Sequence, residues 1–442
     1  MTYLSQILFF IIVVVATIIL IRRIRHIKRM ILTGRHLDRN DNPKERWKNT
    51  FLVACGQKKM FKRFIPALLH LFLYVGFIII NFEVLEFVID GLFGTHRAFA
   101  PFMAEFYVFP LNVFEFLAVM VIISCLIFLY RRNILKVKRL RARELTAWPK
   151  LDANLILSIE IVLMMAILTM NATDQILQTR LETYPETGRM FFSSLMIPLF
   201  EGMSTQALVI LERFAWWFHI IGIFAFAIYI TYSKHIHIFL SFPNTYYADI
   251  KPRGKMDNMP EVTREVNLMM GLNQSENGGE QPGEIARLGA KDINDLHWKN
   301  LMDAYTCTEC GRCTDQCPAN ITGKLLSPRK IMMDTRDRME EVGRNWKNRG
   351  TGLDDGKSLL GDYILKEEIN ACTTCNACVE ACPVMIDPLS IILQVRRYMA
   401  MEESSSPPAW NNMYSNIETN FAPWKFPPSD RFNWADELKQ KK

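Results

Sequence analysis

Eight of the ten cysteines repeat one pattern, C-x₂-C-x₂-C-x₃-C followed by proline, and no other feature limits the fold so narrowly. The first copy is "CTECGRCTDQCPAN" at 307–320 and the second is "ACTTCNACVEACPV" at 371–384, offset by 65 residues. Three cysteines at i, i+3 and i+6 can present thiolates around one face of a cubane, while the fourth reaches away. In two-cluster ferredoxins that fourth cysteine ligates the other cluster. The spacing therefore assigns Cys307, Cys310, Cys313 and Cys382 to one [4Fe–4S] cluster, and Cys372, Cys375, Cys378 and Cys317 to a second. Four thiolates also suit zinc, but the duplicated pattern with a proline after each copy favours iron–sulfur. Thiolates must stay reduced, so this part of the chain is expected in the cytosol. Cys55 and Cys125 lie outside the pattern and read as packing residues.

The N-terminal half has a different character. Half of the 442 residues are hydrophobic while 22% are charged, and the two kinds are segregated. Five stretches, near residues 3–21, 64–89, 109–130, 153–173 and 207–233, are long and apolar enough to span about 30 Å of hydrocarbon. The first is followed, not preceded, by basic residues ("RRIRHIKR"), the reverse of a signal peptide, so it reads as an uncleaved anchor. Residues 22–63 carry 14 Lys/Arg against 3 acids, and residues 131–150 carry 8 against 1. The alternate loops, 90–108 and 174–206, together carry 3 basic residues and 6 acids. The positive-inside rule then puts the N-terminus outside and sends the chain after helix five into the cytosol. This placement agrees with the need for reduced thiolates and names the cytoplasmic membrane. The net charge of +7 flanks the apolar stretches, so it implies membrane topology and not nucleic-acid binding.

Histidines inside lipid need partners. His70 in "LLHLFLYVGF" lies early in helix two; His219 in "WWFHIIGIF" lies in helix five, which His235 and His237 close. On an unbroken helix, His219 and His237 share a face about 27 Å apart, and His235 turns about 160° away from His237. A haem b between helices needs one imidazole from each side, and His70 is the sole histidine on helices one to four. One haem follows at most, with depth leaving His219 and His237 both open as partners; the alternative for His70 and His219 is a histidine bonded to a neighbouring backbone carbonyl. His26, His36 and His96 read as solvated loop residues. Glu83, Glu86 and Asp90 follow i, i+3, i+7 spacing at the outer end of helix two, and Glu160 lies inside helix four. A quinol must release protons when oxidised, so Glu160, Glu83 and Glu86 are candidates to handle them; Glu83, Glu86 and Asp90 also read as plain markers of the membrane interface, which the deeper Glu160 does not.

The stretches "LLHLFLYVGF" and "HIHIFLSFPNTYY", in five helices with an outside N-terminus, resemble the haem-b gamma subunit of respiratory nitrate reductase. They are similar too to the membrane subunits of heterodisulfide reductase and of the sulfite-reductase-associated complex. The resemblance covers about residues 1–250 and implies that His70 pairs with His237 around one haem b. Its second helix-two histidine falls on Ile80, which leaves His219 without the partner that a second haem would need.

Residues 251–296 turn polar, with "NQSENGGEQPGE" the least structured part, and read as a linker. Between the cysteine motifs, "SPRKIMMDTRDRMEEV" begins a helix with Ser327 as N-cap and Pro328 at its first position, and "GKSLLGDYILKEEIN" suggests another. Residues 297–400 are thus an α-helical dicluster domain, and 297–398 resemble the small iron–sulfur subunit of heterodisulfide reductase and the C-terminal part of the iron–sulfur subunit of succinate dehydrogenase. The tail, 401–442, is rich in proline and tryptophan and suits an extended segment, either laid over another subunit or folded back on its own domain. No Cys-Cys-Gly pair and no dinucleotide fingerprint occur, so the soluble half shows no substrate site of its own.

The expectation is therefore an all-α chain, a five-helix transmembrane bundle followed by a cytosolic dicluster ferredoxin domain. It relays electrons between quinone and haem b in the bilayer and a cytosolic partner. The resemblance implies a partner of the Cys-Cys-Gly, heterodisulfide-reductase kind, serving a flavin dehydrogenase or an electron-transfer flavoprotein. The competing expectation is a haem-free anchor that tethers a ferredoxin domain to other complexes.

Overall fold

A computed structural model describes residues 3–272, 287–349 and 354–440; the "NQSENGGEQPGE" stretch, 273–284, lies outside them. The fold is all-helical, and the described residues pair as strands only in isolated bridges. Five helices are long and apolar enough to cross a membrane: α1 (Tyr3–Ile31), α2 (Phe64–Phe93), α3 (Val108–Asn133), α4 (Trp148–Gln178) and α5 (Thr205–Ile230). Even the 26 residues of α5 reach about 39 Å, more than the hydrocarbon core requires. α4 packs between α3 and α5, α2 against α3, and α1 lies across α2 and α5. α1 turns Leu8, Phe10, Ile11 and Val15 outward and buries Phe9 beneath Trp216 and Phe224. Phe9 is admitted by Gly91, where a Cβ would lie 2.6 Å from its ring. Lipid tails are as apolar as these side chains, so close packing, not water exclusion, holds the bundle.

α1, α3 and α4 outrun the expected spans at the end facing the dicluster domain, and the surplus of α1 helps to hold that domain. The foot of α1 continues to Ile31, and Arg35 pairs with the soluble domain through Arg35 N–Leu296 O (2.7 Å) and Trp298 N–Arg35 O (3.1 Å). Beyond α5 the chain makes α6 (His237–Tyr246), α7 (Trp298–Thr306), α8 (Pro328–Arg349), α9 (Pro388–Met401) and α10 (Pro408–Asn420). α8 starts where its sequence says, with Ser327 Oγ accepting from Lys330 N at 3.3 Å.

Three expectations change. Helix five does not run through to His237: it ends at Ile230, turns, and restarts as α6 after Ser233 Oγ accepts from His235 N at 3.1 Å. The polar stretch before residue 297 is not all linker, because Ala290, Ile293 and Leu296 are buried in the soluble domain. The tail is not extended, since α10 and a final helix, Asn433–Gln440, occupy much of it.

Candidate electron-transfer centres

The two cysteine motifs share one backbone course. Glu309 and Gly311 in the first have φ of 56° and 72°, and Thr374 and Asn376, each 65 positions later, have 55° and 61°. Glycine and asparagine tolerate that left-handed region best, so the loop returns on itself and aims its cysteines inward. Each loop then enters a short helix, Arg312–Asp315 or Ala377–Ala381, and these two helices pack together. That contact brings each fourth cysteine to the other motif. Cys382 sits within electrostatic reach of Cys310 and Cys313, and Cys317 within reach of Cys372 and Cys378. A cavity beside Leu389 and Ile392 is lined by Cys317, Cys372, Cys375 and Cys378, the crossed set of one cluster.

The thiols fit iron–sulfur ligation in a second respect. Burial pushes Cys307 up to about 12 and Cys382 up to about 11, so the bare site would hold protonated thiols whose protons are released when a cluster is ligated. Backbone N–H groups already point at sulfur: Thr374 N lies 3.4 Å from Cys372 Sγ, and Ile386 N lies 3.3 Å from Cys382 Sγ. Such donors favour the charged form of a ligated cluster.

The first motif rests on the bundle. Arg312 donates to the Lys59 and Met60 carbonyls, and Arg139 to the Cys310 carbonyl. Lys59 itself donates to Val379 O, and burial lowers its ammonium to about 8. Glu309, between Cys307 and Cys310, joins the two halves through Lys234 and Arg336, the latter at 2.6 Å. Burial pushes its carboxyl up, and the two cations more than offset this and hold it below the usual range.

Directly beneath lie the histidines. The His70 and His237 rings are 6.3 Å apart between centroids. Two imidazoles each bonded about 2 Å from one metal ion would have centroids roughly 6 Å apart. His70 Nδ1 lies 3.1 Å from Gln57 Oε1, and His237 Nδ1 lies 3.1 Å from Lys234 O. An oxygen acceptor at Nδ1 places the hydrogen there and leaves the Nε2 lone pair open, the form that binds iron. The pair thus fits a haem iron. His219 has the same tautomer, Nδ1 to Leu163 O at 2.9 Å, but its buried Nε2 has no partner and its neighbour is the edge of Phe87. His235 does not point away from the pair: with the helix broken, its ring is 5.4 Å from that of His237, and its Nε2 is 3.8 Å from Glu160.

The carboxylates divide by what they touch. Glu86 accepts from Phe99 N and Tyr107 OH, and Asp90 from Thr95, Arg97 N and Ala98 N, so both clamp the distal loop. Glu83 is buried with neither oxygen hydrogen-bonded and Arg97 at 3.8 Å. Two histidines expected in solvent are engaged. His96 bonds Asp174 at 2.9 Å and Arg213 at 3.1 Å, and His26 lies 3.7 Å from Glu340. Sequence reasoning missed Arg97, Asp174 and Glu340; a lone arginine in an otherwise acid-rich outer loop was the available signal for the first.

Residues 306–386 match the family model described as a 4Fe-4S dicluster domain. The chain is 28% identical over 421 residues to the probable iron-sulfur-binding oxidoreductase FadF of Bacillus subtilis, covering 88% of this chain and 54% of that one. It is 25% identical over 432 residues to the EtfAB:quinone oxidoreductase of Syntrophomonas wolfei, covering 92% and 56%. It is also 35% identical over 97 residues to one polypeptide of the ferredoxin:CoB-CoM heterodisulfide reductase of Methanosarcina mazei, covering 22% of this chain and 46% of that one. The chain spans about half the length of the first two relatives. No solved structure matches it. The chain is an all-helical protein with five membrane-length helices and a C-terminal 4Fe-4S dicluster domain, similar to iron–sulfur oxidoreductases.

Proposed function

We propose that the chain is the membrane-bound electron-transfer subunit of a quinone-linked oxidoreductase. The clusters are assigned to Cys307, Cys310, Cys313 and Cys382, and to Cys372, Cys375, Cys378 and Cys317. A single haem b is assigned to His70 and His237. The observation that carries this reading is the His70–His237 pair, two rings 6.3 Å apart with both Nδ1 groups facing oxygen acceptors. When bound, the haem would exchange single electrons between a two-electron quinone and the iron–sulfur clusters. The chain's own contribution is placement. Gln57 and the Lys234 carbonyl orient the two imidazoles, and the Lys234 ammonium ties that turn to Glu309 inside the first cysteine loop. The first cluster's cysteines lie on the bundle and Cys375 of the second is exposed, so the partner meets the second cluster.

The similarity to an EtfAB:quinone oxidoreductase supports quinone as the lipid-soluble reactant and an electron-transfer flavoprotein at the other end. The similarity to part of a heterodisulfide reductase supports a Cys-Cys-Gly-type iron–sulfur partner. The test is the optical spectrum of the purified full chain. A reduced b-type band that disappears in His70→Ala is expected, whereas clusters without that band would make the bundle a tether for the ferredoxin domain.

A further inference from the structure

At the end of the bundle remote from the clusters, six carboxylic acids are buried: Glu83, Glu86, Asp90, Glu115, Asp174 and Glu212. Among the described residues, two arginines, Arg97 and Arg213, form ion pairs with them. With six buried carboxylates against two arginines, the carboxyl least compensated by donors is the one that holds its proton. Hydrogen bonds decide which. Asp90 and Glu86 accept the loop donors described above. Glu115 accepts from Phe192 N (2.9 Å), Ser193 N (3.2 Å) and Asn171 (3.3 Å). Asp174 accepts from His96 (2.9 Å), Arg97 (3.2 Å) and Gln178 (3.0 Å), and Glu212 from Arg213 and Tyr184. Donors thus reach the oxygens of all five. Glu83 alone has no hydrogen bond at either oxygen, although it is 1% exposed. Facing it at 3.8 Å is Arg97 Nη1, another buried atom without a partner, while Nη2 of the same guanidinium is committed to Asn171 at 2.7 Å and to Asp174.

We propose that Glu83 is the proton-loading carboxyl of this protein, charged from the distal aqueous face and delivering its proton to the bundle interior. The proposal rests on the quinone reading above. Glu83 lies one turn before Phe87 on the inner stripe of α2, whose ring meets His219, so it faces the interior and not the lipid. Behind it, Arg97 leads to Asp174 and then to His96, the half-buried rim of the cluster, with Glu212, Arg213 and Tyr184 around it. Reduction of a quinone takes two electrons and two protons and yields the quinol. The electrons would be supplied by the reduced clusters and haem when these are bound, with a cytosolic donor replenishing them. Each proton leaves the Glu83 hydroxyl and forms an O–H bond on the quinone oxygen. The carboxylate left behind is met by the open Nη1 of Arg97 until it is protonated again from the distal face, and two such turns complete one quinol. Quinol oxidation runs the same steps backwards.

The full chain in phospholipid vesicles supplies two readouts. The infrared spectrum at neutral pH should show a protonated-carboxyl C=O band that is lost in Glu83→Gln and kept in Glu86→Gln and Glu115→Gln. In the second readout, dithionite-reduced protein freed of excess reductant is mixed with a short-chain naphthoquinone, and reoxidation is followed with a pH dye on each side. The parent should take protons from the distal side. Glu83→Gln should slow reoxidation about a hundredfold while its reduction by dithionite is unchanged, and Glu83→Asp should restore part of the rate. A band that persists in Glu83→Gln, or reoxidation at the parental rate in that variant, overturns the proposal. Failure of the parent to be reoxidised by the quinone removes the quinone reading instead, and leaves the infrared assignment to be judged alone.

Discussion

At the scale of single residues, the cysteines and the histidines were legible to different degrees, for a physical reason. A cluster needs ligands at fixed short spacing, so the eight cysteines announce themselves within two loops. Replacing Cys382 by serine should damage the cluster held by the first motif, and Cys317→Ser that of the second. Electron paramagnetic resonance of the reduced protein should lose a different signal in each variant; loss of the same signal in both would refute the crossed assignment. A haem draws ligands from distant helices, and sequence fixes neither depth nor helix continuity. His70 was legible as the sole candidate on its side, but the break at Ile230 was hidden, because "YITYSKHIH" reads as helix until Ser233 caps a new turn. The corrected geometry sharpens the expectation. His70→Ala and His237→Ala should each abolish the b-type spectrum. His219→Ala should spare it, since its neighbour is Phe87. His235→Ala should keep the haem but shift its spectrum, because that ring touches His237. A haem lost with His219 and retained without His237 would reverse the pairing.

At the scale of elements, charge that topology alone would explain also docks the soluble domain. The basic foot of α1 was legible as an inside marker, yet nothing local in it names Glu340 on α8. There Glu340 Oε1 accepts from Arg23 at 2.7 Å and from Tyr305 OH at 2.6 Å. Burial pushes this carboxyl up, but the nearby His26 imidazole and the hydrogen bonds from Arg23 and Tyr305 hold it down at about 2. Glu340→Gln should therefore cost about 2 kcal/mol of docking stability. A depressed folded-state value makes the contribution complete above the ordinary carboxylate value of 4.5, and lost as pH falls from there through about 2. The difference in thermal midpoint between parent and variant should be the same at pH 7 and pH 5. A difference that shrinks between those two values would contradict the assignment. Arg329, wholly buried between Glu144 and the Arg139 carbonyl, anchors the second basic loop in the same way.

At the scale of the whole molecule, segregation of apolar and basic stretches made the five-helix architecture legible, whereas the distal polar cluster was not, because its members come from α2, α3, α4, α5 and the outer loops. The basic loops and the ferredoxin domain are expected on the cytosolic side, with loop 174–206 outside. Protease added to intact cells should cut within 174–206 and spare 260–400; the opposite pattern would invert the orientation. The central claim is that a haem held by the His70–His237 pair would carry electrons between quinone and the cysteine-bound clusters. Stopped-flow mixing of oxidised full-length protein with a short-chain quinol, monitoring the haem band and the cluster absorbance together, tests it most directly. Both should be reduced in the parent, and His70→Ala should lose the haem band and quinol-driven cluster reduction while dithionite still reduces its clusters. Clusters reduced by quinol at the same rate in His70→Ala as in the parent would contradict the claim.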